Sequence, residues 1–416
     1  MSGQPRKLIV FAALIAVIAL AAGTAFGAAP ESPGTPEPRA YLPVVDGQMP
    51  PTATPTPAPT PTATAVPTPA GSWSPAASMS TPRNGLTATL LASGQVLVTG
   101  GLASDDPDSV VASAELYNPA KKSWSRAGSM STKRLWHTAT LLDSGKVLVV
   151  GGCTNPAGNS TLASAELYNP ATNGWSVAGS MSGPRVVHTA TLLNSGKVLV
   201  VGGAGTGGYL ASAELYDPAT NSWSPAASMS ISRGYHTATL LPSGQVLVAG
   251  GFDGGVLASA ELYTPSSNGW APAGSMSTGR DGHTATLLPS GQVLVAGGFD
   301  INGDVLASAE LYGPATNSWS AAGNMSVPRL AQTATLLNSG QVLVAGGVAT
   351  YLDIPLADAK LYDAASNTWW PARSMSTARF GHTATLLRSG QVLVAGGGSY
   401  NDVLDDALAS AELYTP

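Results

Sequence analysis

His137-Thr-Ala-Thr-Leu-Leu-Asp-Ser-Gly-Lys-Val-Leu-Val-Val-Gly151-Gly152, a variable stretch, and then Ala163-Ser-Ala-Glu-Leu-Tyr168-Asn-Pro-Ala-Thr-Asn-Gly-Trp175 form one unit of a sevenfold repeat. The first segment alternates small polar and apolar residues, as a half-buried strand does. Ser144-Gly145 marks a turn. Val147 to Val150 is a continuous apolar run, the pattern of a strand covered on both faces. Gly151-Gly152 ends it, where the backbone must bend or approach a neighbour closely. Ala163 to Tyr168 reads as a third strand, Asn169 to Gly174 as a turn, and Trp175 to Ala178 as a fourth. No helical period intervenes, so one unit is a four-stranded antiparallel meander.

The paired glycines recur at Gly100-Gly101, Gly151-Gly152, Gly202-Gly203, Gly250-Gly251, Gly297-Gly298, Gly346-Gly347 and Gly396-Gly397, with spacings of 47 to 51 residues. Four-stranded units at that period predict a β-propeller, in which each unit buries its faces only against its neighbours. The tryptophans fix the phase: Trp73, Trp124, Trp175, Trp223, Trp270, Trp319 and Trp369. The first precedes the first full copy, and the last copy ends at Tyr414-Thr-Pro416 without one. The segment around Trp73 is therefore expected to be the outer strand of the last blade, pairing with the C-terminal strand and closing the ring. Closure removes the two exposed edges that an open ring would leave.

The tyrosine-to-tryptophan spacing after each glycine pair, as from Tyr117 to Trp124 and from Tyr168 to Trp175, resembles the kelch signature. Residues 71–416 are thus similar to an all-β, seven-bladed kelch-type propeller. The resemblance implies four antiparallel strands per blade, with the first innermost and the fourth outermost. It says little about activity, because one superfold hosts many functions. Most propellers of this kind bind proteins or other ligands. A minority, resembling galactose oxidase, are copper enzymes whose site uses two histidines and tyrosine, with a cysteine cross-linked to one tyrosine. Here the single cysteine, Cys153, follows a glycine pair in a variable loop, and every histidine is a repeat residue. The resemblance does not extend to that site.

The N-terminus reads as an address. Arg6 and Lys7 precede an apolar run from Leu8 to Ala22, followed by small residues to Ala28, the order of a secretory signal. Residues 1–27 are read as a signal peptide, with an uncleaved anchor as the alternative, and either places the rest outside the cytoplasm. Residues 28–70 form a Pro/Thr/Ala-rich linker that cannot bury a core and favours an extended spacer. The formal net charge is −5 and no basic block interrupts the repeats, which argues against a nucleic-acid partner.

His137, His188, His236, His283 and His382 share one repeat position, and their origin in different blades argues against a shared metal ion. Arg83, Arg134, Arg185, Arg233, Arg280, Arg329 and Arg379 also recur. So does a glutamate of the third strand (Glu115, Glu166, Glu214, Glu261, Glu310 and Glu412), with Asp358 as the expected stand-in in the sixth copy. A structural ion pair is the favoured reading, and a cationic ring facing an anionic ligand the alternative. No nucleophile elbow, zinc-protease, Walker or dinucleotide fingerprint is present. Asp300, Asn302 and Asp304 alternate like calcium ligands but lack the downstream bidentate glutamate.

These readings converge on a non-catalytic, secreted or cell-surface module that binds a protein or glycan, with no cofactor and no metal. A monomer is expected, touching a membrane only through the N-terminal segment. An extracytoplasmic carbohydrate-active or galactose-oxidase-like enzyme and a cell-surface adhesion module are the alternatives. The loops after the glycine pairs differ most between copies. They carry the candidate ligand-binding residues Asp105, Asp106, Tyr209, Phe252, Asp253, Phe299, Asp300, Tyr351, Asp353, Tyr400 and Asp402. Exposed aromatics beside carboxylates would suit sugar stacking or a basic protein partner.

Overall fold

The computed structural model describes residues 69–104, 106–350, 355–401 and 404–416. Residues 1–68, on which the expected signal segment and most of the expected linker fall, and Asp105, Tyr351, Asp353 and Asp402 lie outside the described residues. Within them stand seven four-stranded antiparallel sheets, joined in strand order a-b-c-d. In blade 2 these strands are Thr138–Leu141, Val147–Val150, Ala165–Asn169 and Gly174–Ala178. Pairing follows the repeat, with Thr138 opposite Val150, Val147 opposite Tyr168, and Tyr168 opposite Trp175. The a strands of neighbouring blades pack against one another and form the inner wall.

The core is divided between blades rather than held at one centre. Leu148 and Val150 of blade 2 pack with Val198, Val200 and Tyr216 of blade 3. Val147 and Val149 point the other way, to Leu91, Leu97 and Ala114 of blade 1. Each b strand is therefore fully buried and needs apolar residues at every position, which is why it reads as Val-Leu-Val-Val. Burying one such side chain contributes about 1.5–3 kcal/mol, so each b strand is a large share of its blade's stability.

The glycine pairs allow the blades to close up. Gly151 and Gly152 have φ of +62° and +87°. A Cβ on Gly151 would lie 2.6 Å from the Arg185 carbonyl oxygen of the next blade, and one on Gly152 2.6 Å from the Leu135 carbonyl oxygen of its own. Both the conformation and the space therefore demand glycine.

Ring closure follows the phase of the tryptophans. The strand Ser72–Ala76 pairs with Ala411–Thr415, placing Ser72 opposite Thr415 and Trp73 opposite Tyr414. Ala70 already bridges Ala372 of blade 6. The Trp73 indole Nε1 donates to the Arg373 carbonyl at 2.6 Å, as Trp175 does to Gly128 at 2.6 Å. Every blade thus binds its predecessor through its outer strand. The tyrosines opposite the tryptophans are fully buried, whereas the tryptophans are half-buried, because each indole covers the seam between blades from outside.

Candidate functional site: the mouth of the central channel

Each blade is entered by a d–a segment that begins with the repeated arginine and reads Arg-x-x-His in five blades, with Leu86 and Gln332 in place of histidine in blades 1 and 6, and these seven segments surround one end of the channel. The arginine is consumed by its own blade. Arg134 donates to the carbonyls of Gly151 at 3.0 Å and Ser164 at 2.9 Å, and to Glu166 Oε1 at 3.0 Å. Glu166 in turn accepts from the backbone N–H groups of Ser131 and Thr132. The ion pair ties loop to sheet and repeats in all seven blades, with Asp358 replacing glutamate opposite Arg329 at 2.5 Å. The guanidinium groups are buried, so they do not form a cationic ring open to an anionic ligand.

The histidines latch blade to blade. Nε2 of His188 lies 3.0 Å from Thr138 Oγ1 of the preceding blade, and His137, His236, His283 and His382 repeat the contact. Burial, reinforced by the neighbouring arginine, lowers His137, His188, His283 and His382 to about 3 and depresses His236 in the same direction. These are neutral imidazoles at ordinary pH. Four of them line a common cavity of about 370 Å³, so they converge more than their origin in separate blades implied. Their Nε2 atoms are nevertheless committed to threonine hydroxyls. Gln332 fills the position in blade 6 and donates to the Ala296 carbonyl at 2.9 Å.

Of the two residues that follow each arginine, the second lines the same cavity in every blade, and the first does so only at Asn84, Leu135 and Phe380. The second of them is left-handed in every blade. Gly85, Gly282 and Gly381 occupy it in three, and Trp136, Val187, Tyr235 and Ala331 hold φ of +51° to +56° in the others. This conformation aims the amide at the preceding blade: Trp136 N–H donates to Gly85 at 3.2 Å, Tyr235 to Val187 at 3.1 Å, and Gly282 to Tyr235 at 3.1 Å. A left-handed non-glycine residue is costly, by about 1–2 kcal/mol, and a β-branched one such as Val187 is an outlier. Three consecutive blades bear Trp136, Val187 and Tyr235 despite that cost.

The loops after the glycine pairs flank this mouth, but not as expected. The residue after each pair forms a two-bond bridge with the d–a segment: Phe252 with Gly234, Phe299 with Asp281, Cys153 with Leu135. The bridge draws its side chain beneath the loop. Phe252 is only 8% exposed, and Phe299 packs against the Leu330, Val348 and Phe380 cluster. The expectation that these two phenylalanines are exposed for ligand stacking is therefore corrected. Cys153 occupies the same buried position, and burial pushes its thiol up to about 12.

Tyr209, on the short hairpin Ala204–Gly205 and Gly208–Tyr209, packs edge-on against Phe252 with ring centroids 5.5 Å apart. It joins Asp253 in the lining of an outer cleft of about 660 Å³ between the loops of blades 2, 3 and 4. Among the described residues, the fold thus brings the expected Tyr209, Phe252 and Asp253 together. Asp253 also accepts from the Ser232 hydroxyl at 2.5 Å. Asp300 caps its own turn by accepting from the N–H groups of Asn302 and Asp304, and Asp106 likewise caps the short 3₁₀ turn Pro107–Ser109. Tyr400 lies in the strand Gly398–Asn401 of a hairpin over blade 7.

Trp136, Val187 and Tyr235 were absent from the expected site. Their signal was present: between the repeated arginine and histidine the copies read Asn-Gly, Leu-Trp, Val-Val, Gly-Tyr, Asp-Gly, Leu-Ala and Phe-Gly. That is strong variation inside an otherwise uniform stretch.

A family profile for the KLHDC2/KLHL20/DRC7 Kelch-repeats domain matches residues 85–298. Among solved structures, the chain is similar to a novel fungal alcohol oxidase with catalytic diversity among the AA5 family, in complex with copper. The identity is 18% and the TM-score 0.68, covering 83% of this chain and 76% of that one. At that identity the likeness concerns the fold. The inter-blade glycines, the tyrosine–tryptophan pairs and the profile agree: this chain belongs to the kelch-repeat β-propeller family.

Proposed function

We propose that the propeller is a non-catalytic binding module that receives a protein or glycan ligand at the channel mouth over blades 2, 3 and 4. The observation that carries this reading is the placement of Trp136, Val187 and Tyr235 in costly left-handed backbone where glycine serves in other blades. Strain of this kind persists where surrounding structure or function demands it. The partly exposed side chains at these positions vary on a frame of arginine–carboxylate pairs that every blade keeps. Binding is also a common use of the kelch scaffold. The N-terminal basic-then-apolar segment supports an extracytoplasmic setting for the module.

The likeness to a copper oxidase raises the enzyme alternative, and the residues present do not fit that metal site. Cys153 is buried with its thiol toward the Leu135 carbonyl at 3.7 Å, and the imidazole Nε2 atoms face threonine hydroxyls.

Screening the full chain on peptide and glycan arrays, beside a copper-supplemented turnover panel of alcohols and sugars, tests this reading. Captured ligands that are lost with Trp136→Ala and kept with Ser144→Ala, on the opposite face, support it. Turnover, or binding lost only through Ser144, contradicts it. A reporter fused to residues 1–70 should be exported, and its retention in the cytoplasm would contradict the extracytoplasmic assignment.

A further inference from the structure

The first residue after each repeated arginine builds a ring just behind the mouth. Its side chain lies on the left-handed residue of the preceding blade. A Cβ on Gly85 would meet Leu135 Cδ1 at 2.5 Å, one on Gly282 would meet Leu330 Cδ1 at 2.6 Å, and one on Gly381 would meet Asn84 Oδ1 at 2.5 Å. Around the ring these positions hold Asn84, Leu135, Val186, Gly234, Asp281, Leu330 and Phe380. Where Gly234 leaves a gap, Tyr209 fills it, 2.8 Å from where a Cβ would be. Asp281 is therefore the one ionisable residue in an otherwise apolar or neutral ring.

Asp281 is 4% exposed, and its Oδ2 has no hydrogen-bond partner. No arginine or lysine among the described residues pairs with it, since the seven repeated arginines are held by their own blades. A buried, unsatisfied carboxyl is destabilising, and its burial raises it to about 7. It borders Tyr235, Gly282 and Tyr209, of which the first two line the mouth and the third lines the outer cleft beside Asp253. The mouth lining contains no lysine or arginine.

We infer that the mouth takes a protonated amine or guanidinium on an apolar stem, the lysine or arginine side chain of a polypeptide partner, with Asp281 as its counter-ion. This rests on the mouth being the binding site. Trp136 and Tyr235 offer aromatic faces to the stem and its cation. Asp281 supplies the charge-assisted acceptor that the apolar wall lacks. Asp253 continues the negative field along the outer cleft, and an anionic ligand would find no opposite charge in the lining.

The test titrates the full chain with n-butylammonium and with its neutral isostere n-butanol, read by saturation-transfer NMR at low salt. The amine should bind at least about tenfold tighter than the alcohol, as expected for a charge-assisted bond. Asp281→Asn should abolish the difference. Asp281→Leu, which copies Leu135 and Leu330, should abolish it too while melting no lower than wild type, so the loss is not unfolding. Equal affinity for the two probes overturns the inference, as does amine preference surviving both variants, or absence of amine binding. If butanol or an arrayed neutral glycan still binds and Trp136→Ala removes it, the mouth stands as a binding site and only its cationic ligand fails.

Discussion

Acidification should unfold this propeller through its histidine latches. In the folded chain His137, His188, His283 and His382 are held near 3, whereas an unfolded histidine titrates near 6.5. A base whose folded value is depressed stabilises the fold fully above pH 6.5, and that stability is lost as pH falls toward 3. The slope is about 1.4 kcal/mol per pH unit for each histidine. At pH 5 each of the four therefore loses about 2 kcal/mol, or about 8 kcal/mol together, and His236 acts in the same direction. Asp281 runs oppositely, because its folded value of about 7 lies above the unfolded one. Its protonation favours the fold as pH falls from 7 toward 4, offsetting about one histidine. The remaining loss is comparable to the whole stability of a domain, about 5–15 kcal/mol. Urea unfolding followed by tryptophan fluorescence between pH 8 and pH 4.5 measures it. The protein supplies its own control, since Gln332 occupies the latch position with its Nε2 donating to the Ala296 carbonyl. His188→Gln/His283→Gln should fold and should shed about 4 kcal/mol less than wild type between pH 8 and pH 5. An identical loss in the double variant would refute the reasoning.

Ring closure predicts that Trp73→Ala and Trp223→Ala destabilise alike in thermal melts, each by about 2 kcal/mol, roughly half the cost of a fully buried tryptophan. A Trp73→Ala protein that melts like wild type would contradict closure by the N-terminal strand. Glu166→Ala strands the buried Arg134 and should cost about 3–5 kcal/mol in urea unfolding. Asp358→Ser with Lys360→Glu rebuilds the consensus pair at blade 6 and should leave stability equal or higher, whereas a loss comparable to Glu166→Ala would show that Arg329 does not accept the shared geometry.

The architecture was legible because a repeat writes its own constraints many times. Strand b of every blade is covered on both faces and so reads as an apolar run, and the offset of Trp73 from the full copies disclosed the closing strand. The pairing of Arg329 with Asp358 was readable from strand periodicity, since the two acidic positions lie two residues apart on one face. The site was less legible. Phe252 and Phe299 sit in variable loops, and nothing local shows that a bridge to the d–a segment turns them inward. The mouth residues escaped because they are single positions between an unvarying arginine and a near-unvarying histidine, whereas the loops drew attention by their length. Glycine at three of those seven positions was the clue to a left-handed backbone. The isolation of Asp281 required knowing that Gly234 is filled by Tyr209 from another blade.

The central claim is that the left-handed side chains of blades 2, 3 and 4 are kept for binding rather than for folding. Trp136→Gly/Val187→Gly/Tyr235→Gly gives these blades the residue that blades 1, 5 and 7 use at Gly85, Gly282 and Gly381. Melting temperature and the full set of peptide- and glycan-array signals should be measured on this variant beside wild type. The account predicts a melting temperature no lower than wild type, because about 1 kcal/mol of left-handed cost is relieved at each site, together with loss of at least about nine-tenths of every specific array signal. A variant that melts well below wild type and retains its array signals would contradict it.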